Sequence, residues 1–171
     1  MTADGTWTIE ARWDARGDDL PTCARRLSEW LTGLTRLDPT LGEWYREVHE
    51  LDLDPGWLKD VLENQATRWG PEGPTGWELT LWNGIEDDAA VAPMWISCGS
   101  AGAAVRDGLV FQLPHESAAP KLHRRETLLR VWALMISAWQ PQWCRVRRGE
   151  FRQLARDLQL PEAVTVPDQW R

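Results

Sequence analysis

The chain has 171 residues, 43% hydrophobic and 26% charged, with a formal net charge of −7 and a sequence isoelectric point near 5.0. That length suits a single domain over residues 1–171 with a sizeable core, and no apolar run approaches the roughly 20 residues of a membrane span. The acidic balance argues against direct nucleic-acid binding, and three widely spaced cysteines (Cys23, Cys98, Cys144) make no disulfide framework.

The charge is unevenly spread. Residues 1–88 hold 19 acids against 8 bases, and residues 89–171 hold 7 acids against 11 bases. An acidic face steers toward basic proteins. The start, Met1-Thr2-Ala3-Asp4-Gly5, has neither the basic start nor the apolar stretch of a secretory signal, so a cytoplasmic protein is expected. Thirteen tryptophans are far above ordinary usage; most are expected in the core and a few at the surface.

In chain order, Trp7, Ile9, Ala11 and Trp13 alternate with Thr8, Glu10 and Arg12, which predicts a first strand. Asp19 followed by Pro21 marks a helix start, and Leu20, Ala24, Leu27, Leu31 and Leu34 recur at helical spacing until Asp38-Pro39. Residues 40–53 read as irregular and acidic, pinned by Trp44 and Tyr45, and Asp54-Pro55 opens a short helix to about Gln65. Gly70 to Gly76 reads as a loop. Trp77, Leu79 and Leu81 alternate with Glu78, Thr80 and Trp82 in a strand that turns at Asn83-Gly84 and runs into Glu86, Asp87 and Asp88. Strands follow at about 93–98 and 109–113. Glu126 to Trp139 is the strongest helix, with Leu128, Leu129, Trp132, Met135, Ile136 and Trp139 on the expected core side. Pro141 stops it, Trp143 to Arg147 predicts a last strand, and Glu150 to Leu158 a short helix. The expected fold is α+β: a mainly antiparallel sheet packed on one face by two long helices, with the other face partly open and Trp82 and Trp95 at the parity to lie on it.

Chemistry is sparse. His49, His115 and His123 are isolated and no Cys-x-x-Cys occurs, so no metal and no cofactor is expected. Cys98-Gly99-Ser100-Ala101-Gly102 is close to a nucleophile elbow but lacks its first glycine and the helix behind it, which leaves a small hydrolase as a minor reading. Only Lys59 and Lys121 are present, and neither stands in the Glu-x-Lys element of a metal-dependent nuclease. Arg145, Arg147, Arg148, Arg152 and Arg156 cluster near the C-terminus, either pairing with the acidic half or serving a nucleic-acid-binding regulator, the alternative function. The remaining candidate is a docking site for a cationic partner at Trp82, Asn83, Glu86, Asp87, Asp88 and Trp95. The stretch Glu47, Glu50, Asp52 and Asp54 competes with it.

Three stretches together resemble the immunity protein 52 family of bacterial polymorphic toxin systems. They are Cys23-Ala24-Arg25-Arg26-Leu27 leading to Leu37-Asp38-Pro39 and Trp44-Tyr45; Leu79-Thr80-Leu81-Trp82-Asn83-Gly84 with its following acids and Ile96-Ser97-Cys98-Gly99; and Ala138-Trp139-Gln140-Pro141-Gln142-Trp143. The likeness covers roughly residues 7–147 and leaves the tail from Arg148 outside. It implies an α+β, non-enzymatic protein that binds and neutralises a cognate toxin encoded beside it, often one with a nuclease domain. It assigns no binding residues. The expected product is a monomer or weak dimer.

Overall fold

The computed structural model describes residues 6–64, 69–70, 73–74, 76–100 and 106–148. The predicted helix over Glu150 to Leu158 and the arginines Arg152 and Arg156 lie outside the described residues.

The main sheet has five antiparallel strands, numbered here in chain order with the short ones: β1 (Trp7–Asp14), β6 (Trp77–Leu81), β7 (Met94–Cys98), β8 (Arg106–Gln112) and β9 (Trp143–Arg148). Their order across the sheet is β6-β7-β8-β1-β9. Alternation assigns the faces. Ile9, Ala11 and Trp13 of β1, Leu109 and Phe111 of β8, and Met94, Ile96 and Cys98 of β7 share one side and join the hydrophobic core.

The helices α1 (Leu20–Thr35), α2 (Pro55–Glu63) and α3 (Arg125–Trp139) pack together, with α1 in the middle. Asp19 caps α1 by accepting from the Thr22 amide at 2.9 Å, and Asp54 caps α2 by accepting from Gly56 and Trp57 at 2.8 and 3.2 Å. The inward stripe of α1 is Cys23, Ala24, Leu27, Trp30, Leu31 and Leu34. Trp30 meets Phe111 edge-on with ring centroids 5.9 Å apart. A Cβ on Gly33 would overlap Leu134 of α3, so a glycine there lets the two helices close up.

Expected and observed elements agree for β1, α1, α2, β6, β7, β8, α3 and β9 within a few residues at each end. Two differences matter. Residues 40–53, read as irregular, contain a short 3₁₀ turn (Pro39–Leu41) and a small hairpin, β2 (Tyr45–Arg46) with β3 (His49–Glu50). Two-residue strands leave no alternation to read. Within the Gly70–Gly76 stretch, β4 (Trp69–Gly70) pairs with β5 (Gly73–Pro74).

The face of α3 also requires correction. The buried residues are Val131, Met135, Ala138 and Trp139, while Leu128, Trp132 and Leu134 are half-buried. Leu129 and Ile136 are 56% and 46% exposed. The helix carries two overlapping apolar stripes, and partners outside it choose between them. Trp139 stacks on Trp13 at 5.2 Å with planes 15° apart. Arg26 and Arg16 donate to the Ala138 and Trp139 carbonyls at 2.8 and 2.9 Å, placing cations at the C-terminal end of the helix.

Candidate functional site

The candidate residues after β6 do two different jobs. Asn83 is 3% exposed. Its amide nitrogen donates to the Thr40 and Ala90 carbonyls at 2.8 and 2.9 Å, and its oxygen accepts from the Ala92 amide at 2.8 Å. A buried side-chain amide satisfied from two segments, one at Thr40 and one at residues 90–92, is a joint. Trp95 is 1% exposed, with the Arg12 guanidinium 5.3 Å from its ring centre. These two are therefore internal, and its parity does not bring Trp95 to solvent.

Glu86, Asp87 and Asp88 are exposed. Asp87 shapes the loop by accepting from the Ala89 amide at 2.7 Å through its carboxylate, and its carbonyl accepts from Ala90 and Val91 at 2.9 Å each. Among the described residues, no lysine or arginine pairs with these three carboxylates.

Trp82 is half-buried, and its bonds lead away from the acidic loop. Its amide donates to the Tyr45 carbonyl at 3.0 Å and its carbonyl accepts from the Tyr45 amide at 2.7 Å. Its indole Nε1 donates to the Glu47 carbonyl at 2.7 Å, and the Tyr45 and Trp82 rings lie 5.7 Å apart. Gly84, at φ +71°, faces the Tyr45 ring so closely that a Cβ would overlap it. The Trp82-Asn83-Gly84 run thus joins the two acidic segments that compete as docking sites. Glu47, Glu50, Asp52 and Asp54 are all exposed on and just after the hairpin. Sequence reading missed Glu43, whose carboxylate accepts from the Tyr45 hydroxyl at 3.0 Å and thereby raises the tyrosine pKa. An open cleft of about 500 Å³ lies beside it, lined by Gly42, Glu43, Trp44 and residues 50–53. No period or motif marks Glu43, because it borders this surface only through the tertiary fold.

Two described arginines of the basic end, Arg145 and Arg148, have partners within the fold. Arg145 donates from Nε to Glu10 at 2.7 Å and pairs with it through a second nitrogen at 2.6 Å; Glu10 is fully buried. Arg148 stands 5.1 Å over the Trp7 ring. Pairing with the acidic N-terminal half is what the structure shows for Arg145, and that removes it from a phosphate-binding patch.

Ser100 is fully buried. Its hydroxyl donates to Asp107 Oδ1 at 2.6 Å and its amide to Oδ2 at 3.0 Å, while the Ser97 hydroxyl donates to Oδ1 at 3.1 Å. A hydroxyl enclosed this way anchors a turn and is not presented to a substrate. Among the described residues no group of three or more His, Cys, Asp or Glu side chains could hold a metal ion. Nor is any described helix long and apolar enough to cross a membrane.

Two thiols, those of Cys98 and Cys144, hold their protons. The hydrogen bond that the Cys98 thiol donates to Cys23, followed by burial, pushes Cys98 well above its ordinary value. Burial and then the Glu10 charge push Cys144 up to about 11. A folded-state pKa above the unfolded one stabilises fully below the unfolded value of about 9 and is lost as pH rises through 11. The denaturation midpoint should therefore fall between about pH 9 and 11, and less steeply in Cys144→Ala. A midpoint with the same pH dependence in both proteins would contradict this.

The fold is an α+β sheet-and-helix domain with a buried joint under an exposed acidic surface, on which Glu47 pairs with Arg46 at 3.6 Å. This arrangement suits a binding protein. The family model for immunity protein 52 matches residues 5–167, and the chain belongs to that family. No curated protein matches it. The match extends over nearly the whole chain, beyond the 7–147 stretch that carried the resemblance. The protein is an immunity protein of a toxin–immunity system, a non-catalytic inhibitor whose partner is a cognate toxin.

Proposed function

We propose that the protein neutralises a nuclease toxin in the cytoplasm by laying its acidic surface over the toxin's basic substrate groove. A nuclease needs such a groove to hold phosphates. An inhibitor with exposed carboxylates associates with it fast and blocks it sterically. The observation that carries this reading is the joint at Trp82. Its indole holds the Glu47 carbonyl, while Asn83 next to it holds the end of the loop that carries Glu86, Asp87 and Asp88 through Ala90 and Ala92; in this reading the two acidic segments act as one rim. In this reading the protein works as a monomer or weak dimer and touches no nucleic acid itself.

The test is co-expression with the toxin domain encoded beside the gene, together with binding kinetics. Changing Glu86, Asp87 and Asp88 together to Lys should leave folding intact, because all three are exposed in a loop. Association should slow by roughly 10- to 100-fold at low salt, and the difference should shrink as salt rises. Full protection with unchanged kinetics would remove this loop from the interface.

A further inference from the structure

The β2–β3 hairpin has features that its own stability does not require. It has only two residue pairs, Tyr45 with Glu50 and Arg46 with His49, too few to hold together alone. Its turn is the dipeptide Glu47-Val48. Glu47 sits at φ +54°, a left-handed conformation that glycine or asparagine adopts at lower cost in such turns. Val48 is 70% exposed, the most exposed large apolar side chain among the described residues. A turn chosen for stability would carry glycine at the Glu47 position. Instead the fold presents an isolated apolar side chain at the tip, with Glu47 beside it and Glu50 on the return strand.

The hairpin is nevertheless fixed in place. Two backbone hydrogen bonds tie Tyr45 to Trp82, and the Trp82 indole holds the Glu47 carbonyl at 2.7 Å, directly at the turn. The tip is therefore held rigid from outside, which lowers the ordering cost of binding.

Building on the function proposed above, we infer that this hairpin is the element that enters the toxin's basic groove. Val48 is its desolvated contact, Glu50 faces the groove's cations together with Glu47, which exchanges its Arg46 partner at 3.6 Å for them, and Trp82 acts as a positioning residue behind the turn. The fit is one of charge and shape: a narrow acidic projection with an apolar tip matches a basic cleft that holds a nucleic-acid strand.

The experiment measures binding of a catalytically inactivated form of the neighbouring toxin domain to three variants. Val48→Ser should raise the off-rate roughly tenfold with an unchanged thermal midpoint, because an exposed side chain contributes little to folding. Trp82→Phe keeps a ring and deletes the donor to Glu47. It should speed amide hydrogen exchange at residues 46–49 and weaken binding together, since the competent hairpin becomes less populated. Glu47→Lys with Glu50→Lys should slow association. Unchanged kinetics for all three, with binding lost on reversing residues 86–88, would overturn the hairpin's role and leave the proposed function standing. A wild-type protein that neither binds nor protects would overturn both.

Discussion

Trp139→Ala is expected to cost about 3–5 kcal/mol of folding stability, the range for truncating a large buried aromatic. Trp139 is fully buried in the last turn of α3, and its ring lies against Trp13 of β1 at 5.2 Å. Truncation loses the transfer free energy of the indole and leaves a cavity. That cavity cannot close readily, because Arg16 and Arg26 hold the end of the helix in place. Trp132→Ala is the control. Its side chain is half-buried, so about 1 kcal/mol is expected, below the 3–5 kcal/mol that a core position would give. Urea titrations of both variants check the assignment, and similar losses for the two would show that the helix face is wrongly placed.

Asp107→Ala should be nearly as damaging, at about 3 kcal/mol. Asp107 is 1% exposed and accepts from the Ser97 hydroxyl, the Ser100 hydroxyl and the Ser100 amide. Removing it leaves a buried amide and two buried hydroxyls without this acceptor. Each buried unsatisfied group costs roughly 1–3 kcal/mol, with the hydroxyls at the low end because they can rotate. Ser100→Ala removes one donor and keeps the acceptor, so it should cost about 1 kcal/mol and leave toxin protection intact. A denaturation midpoint for Asp107→Ala within error of wild type would refute the anchoring role. Loss of protection in a folded Ser100→Ala protein would reopen a catalytic role for the hydroxyl.

Where a residue's environment is set within one element, the chain could be read directly. The alternation in β1 and β6 marks the faces because every second side chain must point the same way. Asp19 with Pro21 and Asp54 with Pro55 announce helix starts because capping is satisfied within a turn. The acids at 47–54 and 86–88 are visible as charge, and their exposure follows from the cost of burying them.

Three assignments needed the folded chain. Asn83 and Trp95 share the local setting of surface residues, and nothing nearby in sequence states that Thr40, Ala90 and Ala92 close around one, or that the other lies fully covered. The hairpin at 45–50 is too short to leave a period, and it stands only because Trp82, 35 residues beyond Glu47, supplies its support.

The sequence by itself determined the α+β class, the order of the long elements, the acidic first half and the family, since each rests on local periodicity, composition or short motifs. The tertiary structure alone decided which apolar stripe of α3 faces inward, which candidate residues are joints and which are surface, and that the Trp82 indole holds the backbone of the distant acidic segment at Glu47. Those outcomes depend on contacts between residues distant in the chain, whose free energies no local pattern encodes.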